Sequence, residues 1–263
     1  MIADLRRMTG RIAPAVFVGT VLLFLLAPII LVVLFSFNAS PRLSFPIDAL
    51  TLDWYAAVFS DPAFVRALRN SAVAAASVAL LALLLGVPFS FGIMHLKGRT
   101  RAGALGASLV PAIVPGLLLG IALTVFFTGL GIQLNLRTAI VGHLLVALPF
   151  VVLIMYARLE RLDPDAIEAA RDLGASPATA FRDVTLPLIL PSMIGAAMLA
   201  MAISLDEFII TFFASGSDQT LPVMIWTMLR LGIDPRINAI ATLILLGSLA
   251  LAVTANRRAS VRL

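Results

Sequence analysis

The stretch RLERLDPDAIEAARDLGASPATAFRDVTLPLILP, Arg158 to Pro191, interrupts a chain that is otherwise mostly apolar. Asp163 is a strong N-cap, Pro164 suits the first helical position, and Asp165 sets negative charge against the helix N-terminus, so a helix should begin here. Leu162, Ala166, Ala169, Ala170 and Leu173 recur at helical spacing as one small-residue apolar stripe, with Asp165, Glu168, Arg171 and Asp172 toward the other faces. Gly174 fits the left-handed position that stops a helix, and Ser176 followed by Pro177 starts another. The pattern predicts a helix, a tight Gly turn and a second short helix lying along a membrane surface. By itself such a rod is also what plain interfacial packing produces.

The membrane follows from what flanks this stretch. Of 263 residues, 61% are hydrophobic and 13% charged, and the mean hydropathy is +1.06. Soluble domains run at about 45 to 50% apolar and about 25% charged. Disorder, collagen and disulfide scaffolds are excluded, and with no Cys so are thiol catalysis and thiolate metal sites. A bilayer core needs about 20 apolar residues per helix. Six stretches approach that length: Pro14 to Phe37, Ser71 to Met94, Leu105 to Thr128, Thr138 to Ala157, Leu186 to Phe213 and Ile237 to Ala255. The first is too long for the h-region of a signal peptide and reads as a retained span. No segment alternates with period two over the length of a barrel strand, which leaves helices to satisfy the backbone in lipid. The expected architecture is an all-α polytopic bundle of six transmembrane helices in one membrane domain. Prolines 28, 88, 111, 115 and 149 fall within spans, where they fit either structural kinks or a gate.

The net charge of +5 would suggest nucleic acid in a soluble chain, but the basic residues sit between apolar runs and report topology instead. Arg6, Arg7, Arg11, Lys97, Arg99, Arg101, Arg158, Arg161, Arg171, Arg182, Arg257, Arg258 and Arg262 fall on one side. Arg42, Arg66, Arg69, Arg137, Arg230 and Arg236 fall on the other. Both termini and the polar loop are therefore expected in the cytoplasm. On the outer side, Trp54, Tyr55, Phe59, Phe64 and Val65 make the loop from Asn38 to Asn70 amphipathic, as an interfacial anchor or a docking surface for a soluble partner.

Spacing within the polar loop adds a further pattern to the helix and turn signals. Glu168, Ala169 and Ala170, then Gly174 after three residues, then Val184, Leu186 and Pro187 after nine more, resemble the "EAA" signature of ABC importer permeases, with Val184 where that family often has Ile. The chain further resembles the second-permease branch of the spermidine/putrescine type. The resemblance is carried by SFN (Ser36 to Asn38), DWYAAVFSDPAF (Asp53 to Phe64), RNS (Arg69 to Ser71) and DLGASP (Asp172 to Pro177). It continues through TLPLILP (Thr185 to Pro191), SLDEFIITFFASG (Ser204 to Gly216), TLPVMIW (Thr220 to Trp226) and DPRINAIATLIL (Asp234 to Leu245).

The resemblance implies a type I importer permease in a bacterial inner membrane, one transmembrane domain over residues 1–263. Within it, 14–37 is the first span, 67–256 the core permease region and 158–186 the cytoplasmic coupling loop. It implies that Glu168, Ala169, Ala170, Asp172, Leu173, Gly174, Ala175, Leu186 and Pro187 serve contact with an ATPase. The implied partners are a second permease subunit, two ATPase subunits that bind ATP and Mg, and an extracytoplasmic binding protein. The implied cargo is a small solute: a polyamine, or in related branches an opine, amino acid or phosphonate. No nucleic acid, metal or cofactor is expected for this chain, and no catalytic residue. Its only Lys, Lys97, follows Leu96 rather than the Gly of a phosphate-binding loop. His95 and His143 belong to no zinc or Ser-triad pattern and read as satisfied polar residues near span ends.

Asp206 and Glu207 interrupt the fifth span, and a carboxylate there is costly against lipid. Counted from Pro187 they lie about 28 Å along a continuous helix, toward the outer interface, with adjacent side chains about 100° apart. Two readings stand: a hydrated cap or a pair with Arg230 or Arg236, and a cation-attracting site in the translocation path. Phe208, Phe212 and Phe213 either line that path by cation–π attraction or pack. A secondary transporter would use the same acids as its ion site, but it needs no coupling motif.

Overall fold

A computed structural model describes the backbone of residues 2–42, 44–47, 49–232 and 234–260, and the side chains of residue 14 and of those from 16 to 249 within these ranges. The element order is α1 (Ile2–Ser36), α2 (Asp53–Ser60), α3 (Pro62–His95), α4 (Gly98–Ile113), α5 (Gly116–Gly129), α6 (Leu136–Glu160), α7 (Pro164–Asp172) and α8 (Pro177–Ala180). After a π-helical turn at Phe181–Thr185 come α9 (Leu186–Asp206), α10 (Ile209–Ala214), α11 (Leu221–Leu231) and α12 (Arg236–Ser260). Among the described residues the only β feature is an isolated bridge between Asn38 and Leu50. The chain forms two compact units, one from its two ends (through Pro62 and from Met228) and one from residues 63–227.

In the terminal unit α1 packs on α12. Ser36 Oγ meets the Tyr55 hydroxyl at 2.7 Å. Trp54 Nε1 donates to the Asn38 carbonyl at 2.7 Å, so the SFN and DWY segments fasten α2 beneath the end of α1. Arg236, at the start of α12, pairs with Asp234 at 2.6 Å and with Asp61, just after α2, at 3.2 Å.

The central unit is built on α3, α6 and α9. Small residues line the buried face of α3 at Ala74, Ala75, Ala79, Ala82 and Gly86, and the core continues with Ala147, Val151 and Met155 of α6 and Ile189, Ala196 and Ala200 of α9. Close approach of small-faced helices is how membrane bundles gain packing energy, since lipid offers no hydrophobic drive between them. Ser90 of α3 donates to the Val152 carbonyl of α6 at 3.2 Å. Asn70 and Ser71 of the RNS segment hold the chain before α11, through the Gln219 carbonyl at 3.0 Å and the Leu221 N–H at 2.9 Å.

Among the described residues four helices are long and apolar enough to cross a membrane: Val16–Ser36, Pro62–His95, Leu136–Glu160 and Pro177–Asp206. The expected third span is instead the pair α4 and α5, bent by 91°. The residue before a proline is pushed out of helical geometry, and Val114, before Pro115, is extended at φ −67°, ψ 128°. The other span prolines, at 28, 88, 111 and 149, stay inside helices. The expected fifth span differs too. It begins earlier, because α8, the π turn and α9 run on without a break, and it ends at Asp206, with α10 a separate six-residue helix. The sixth stretch lies in α12, whose side chains are described to Leu249.

Candidate functional site

Two regions hold the residues singled out by the sequence. The first is α7. Asp163 Oδ1 accepts from the Asp165 N–H at 3.0 Å and Pro164 opens the helix. At the far end Gly174 adopts φ +88°, its N–H donates to the Arg171 carbonyl at 2.9 Å, and the Ala175 N–H reaches the Ala170 carbonyl at 3.0 Å. Those two bonds and the positive φ make a Schellman end, the geometry that Gly permits at least cost. Ser176 Oγ then accepts from the Thr179 N–H at 3.2 Å and caps α8.

The rod is thus closed at both ends by its own residues and holds no buried side chain. Glu168, Ala169, Asp172 and Gly174 are exposed, Ala170 and Ala175 half-buried, and Leu173 is 90% exposed. Leu186 packs against the core while Pro187 remains exposed, so the two ends of the motif face different surroundings. The loop is fastened at its base, where the Arg158 guanidinium donates to the Leu188 carbonyl from Nε at 3.1 Å and Nη2 at 2.7 Å. Phe181 packs edge-on against Phe91 of α3, with ring centres 5.9 Å apart.

The second region is the break between α9 and α10. Asp206 is the last residue of α9 and Glu207 is extended at φ −72°, ψ 103°, so the 100° spacing of a continuous helix does not apply to the two acids. Two backbone groups at the break are met by side chains of the break itself, which suits a lipid environment. Glu207 Oε1 accepts from the Ile210 N–H at 3.1 Å and Thr211 Oγ1 donates to the Glu207 carbonyl at 3.0 Å. At the other end of α10, Thr124 of α5 donates to the Phe213 carbonyl at 2.8 Å and Thr138 of α6 to the Ala214 carbonyl at 2.6 Å. Leu123 and Phe127 of α5 share a core with Ile210 and Ala214.

Asp206 is exposed and Glu207 half-buried, and the next residue in sequence, Phe208, belongs to an aromatic group. Phe208 lies 5.7 Å from Phe212 and 5.5 Å from Trp226 of α11, between ring centres. Arg236, one of the partners considered for the acids, is engaged by Asp61 and Asp234. Carboxylates next to aromatic faces attract organic cations. Among the described residues no cluster of three or more His, Asp or Glu could hold a metal.

Sequence reasoning gave Trp226 no site role and did not connect His143 with Ser204 and Thr211, a buried trio in the structure. An ionisable ring inside a span is the one signal that would have found the trio. His143 is satisfied as expected, but it lies two turns into α6, with its partners on either side of the break.

The described residues form a helical membrane fold with broken spans and a self-capped loop helix. Residues 79–260 match the family described as "Binding-protein-dependent transport system inner membrane component". The chain is 32% identical over 247 residues to the spermidine/putrescine transport system permease protein PotC of Escherichia coli strain K12, covering 94% of this chain and 93% of PotC. It is 33% identical over 231 residues to the putrescine transport system permease protein PotI of the same strain, covering 84% of this chain and 82% of PotI. Among solved structures, a bacterial ABC transporter involved in alginate import matches with TM-score 0.70 at 17% identity, over 97% of this chain and 96% of that one. The MetNI methionine ABC transporter matches with TM-score 0.61 at 19% identity, over 73% and 93%. The chain belongs to the family of binding-protein-dependent transport system inner membrane components. It is a multi-pass inner-membrane protein with the fold of type I ABC importer permeases.

Proposed function

We propose that this chain is one membrane subunit of an ATP-driven importer for polyamines such as spermidine and putrescine. The observation that carries the reading is the α7 rod: self-capped, without a buried side chain, and ending on a 90% exposed Leu173. A leucine so placed calls for a cover, and the exposed Ala169 and Gly174 let another protein approach closely. That cover is the cytoplasmic ATPase subunit. Glu168, Ala169, Ala170, Asp172, Leu173, Gly174 and Ala175 form the contact, and Leu186 and Pro187 join it to α9.

The assembly comprises a second permease, two ATPase subunits holding ATP and Mg, and an extracytoplasmic protein that delivers cargo. Both termini face the cytoplasm. Nucleotide on one side and loaded binding protein on the other bias a two-state bundle, which is what coupling requires. Similarity to PotC and PotI supports the cargo class. So do Asp206 and Glu207, which directly precede Phe208 of the cluster with Phe212 and Trp226, an anionic and aromatic combination suited to an amine.

The test is purification followed by reconstitution. The chain is expected to bring an ATPase subunit with it and to import radiolabelled spermidine only with ATP and binding protein. Uptake by the chain alone under a proton or sodium gradient would refute the reading.

A further inference from the structure

His143 is fully buried inside α6, a place where an ionisable ring is retained only if its polar atoms are met. Both ring nitrogens are engaged, Nδ1 with Ser204 Oγ at 2.8 Å and Nε2 with Thr211 Oγ1 at 2.7 Å. Ser204 lies in the last turn of α9 and Thr211 in α10, and both are buried, so one ring bridges the break.

One arrangement of protons meets all of these groups at once. Thr211 has one hydroxyl proton and gives it to the Glu207 carbonyl at 3.0 Å, so its oxygen accepts from His143 Nε2–H. A neutral ring that donates from Nε2 accepts at Nδ1, which assigns the Ser204 hydroxyl as donor there. The relay therefore runs Ser204 to His143 to Thr211 to the Glu207 carbonyl. It ends on the backbone of a residue whose carboxylate is pinned to the Ile210 N–H. Gly142 sets the closeness of the approach, because a Cβ there would strike Ile210 and Leu123.

We propose that His143 is a positioning residue of the translocation path, holding the break between α9 and α10 so that Asp206 and Glu207 meet a cationic cargo in a fixed orientation. The proposal rests on the path role given to the two acids above. His143 touches no cargo and acts through Ser204, Thr211 and the Glu207 peptide.

The experiment uses the complete importer in proteoliposomes, with radiolabelled spermidine as probe. Initial uptake is read beside ATP hydrolysis stimulated by loaded binding protein. His143→Leu keeps the volume and removes both bonds; Thr211→Val keeps the shape and removes the relay. Each is expected to lower uptake by at least about tenfold, the factor for losing one buried hydrogen bond, while hydrolysis changes less than about twofold. ATP consumed per spermidine should rise accordingly. His143→Gln can still donate to Thr211 and should restore most of the uptake. A purely space-filling ring predicts the opposite order, with Leu tolerated at least as well as Gln.

Uptake above half of wild type in both His143→Leu and Thr211→Val, at unchanged ATP consumption per cargo, would overturn the proposal. Equal loss in Gln and Leu would overturn it too. If His143→Leu does not assemble, Thr211→Val decides alone. Asp206→Asn and Glu207→Gln run in parallel: full uptake in both removes the path reading itself, whereas losses in the acids without losses at His143 and Thr211 remove only the positioning role.

Discussion

Replacing Gly174 separates the shape of the loop from the surface it offers. The residue sits at φ +88°, and an added Cβ would find nothing within 4 Å. In the isolated chain Gly174→Ala therefore costs only backbone conformation, about 1 to 2 kcal/mol for an L-residue in the left-handed region. That shifts the balance between the turned and unwound loop about 5- to 30-fold, too little to unfold the bundle. Asn, which visits this region more readily, should cost less. Asp and Leu add charge or bulk where the ATPase is proposed to sit. The assay pairs spermidine uptake in vesicles with ATP hydrolysis in the purified complex. Expected is a several-fold loss for Ala, a smaller one for Asn, and for Asp and Leu hydrolysis that no longer responds to loaded binding protein. Wild-type uptake by Gly174→Asp in a normally assembled complex would refute the reasoning, because neither the φ nor the open surface would then matter.

Gly142→Ala should lower the unfolding midpoint of the solubilised complex by overpacking α10 against α6, at a cost of about 1 to 3 kcal/mol, with an unchanged midpoint as the contrary result. Partial burial pushes the Asp234 carboxyl up, but hydrogen bonds from the Arg236 side chain and N–H, with the guanidinium charge, outweigh it and hold the group below its ordinary value of 3.8. A depressed carboxylate stabilises the fold in full above its unfolded value and loses that contribution as pH falls through the folded one. The midpoint difference between wild type and Asp234→Asn should then stay constant from about pH 8 to about pH 5 and close only in stronger acid; closure near pH 6 would contradict the pairing.

The loop was legible because its signals are local. Asp163, Pro164, Gly174 and Ser176 each act within one helical turn, so caps and stop could be placed residue by residue. Helix class and membrane residence were legible from composition. The break at Pro115 was half legible, since the same residue type bends one span and leaves Pro149 inside an unbroken α6. The pre-proline restriction acts at both sites, so no local pattern separates the bent span from the straight one.

The break after Asp206 was hidden for the same reason. No Gly or Pro lies between Ser204 and Thr211, and the hydroxyls that hold it open meet a ring 61 and 68 residues away in sequence. Ser204 and Thr211 taken singly look like ordinary span residues, and only their common bond to His143 distinguishes them. The aromatic group was split likewise, because Phe208 and Phe212 share a segment whereas Trp226 arrives from α11.

The central claim is that α7 is where a separate ATPase moves this chain. The absence of Cys makes a direct measurement clean, since a single thiol at Ala169 or Leu173 is the only one in the chain. In the assembled importer, a short thiol-reactive crosslinker at either position should capture the ATPase subunit, with a yield that changes when ATP is bound. The same thiol should be shielded from reagents added outside the cell. Labelling from the outside, or no ATPase captured from an assembled and active complex, would contradict the account.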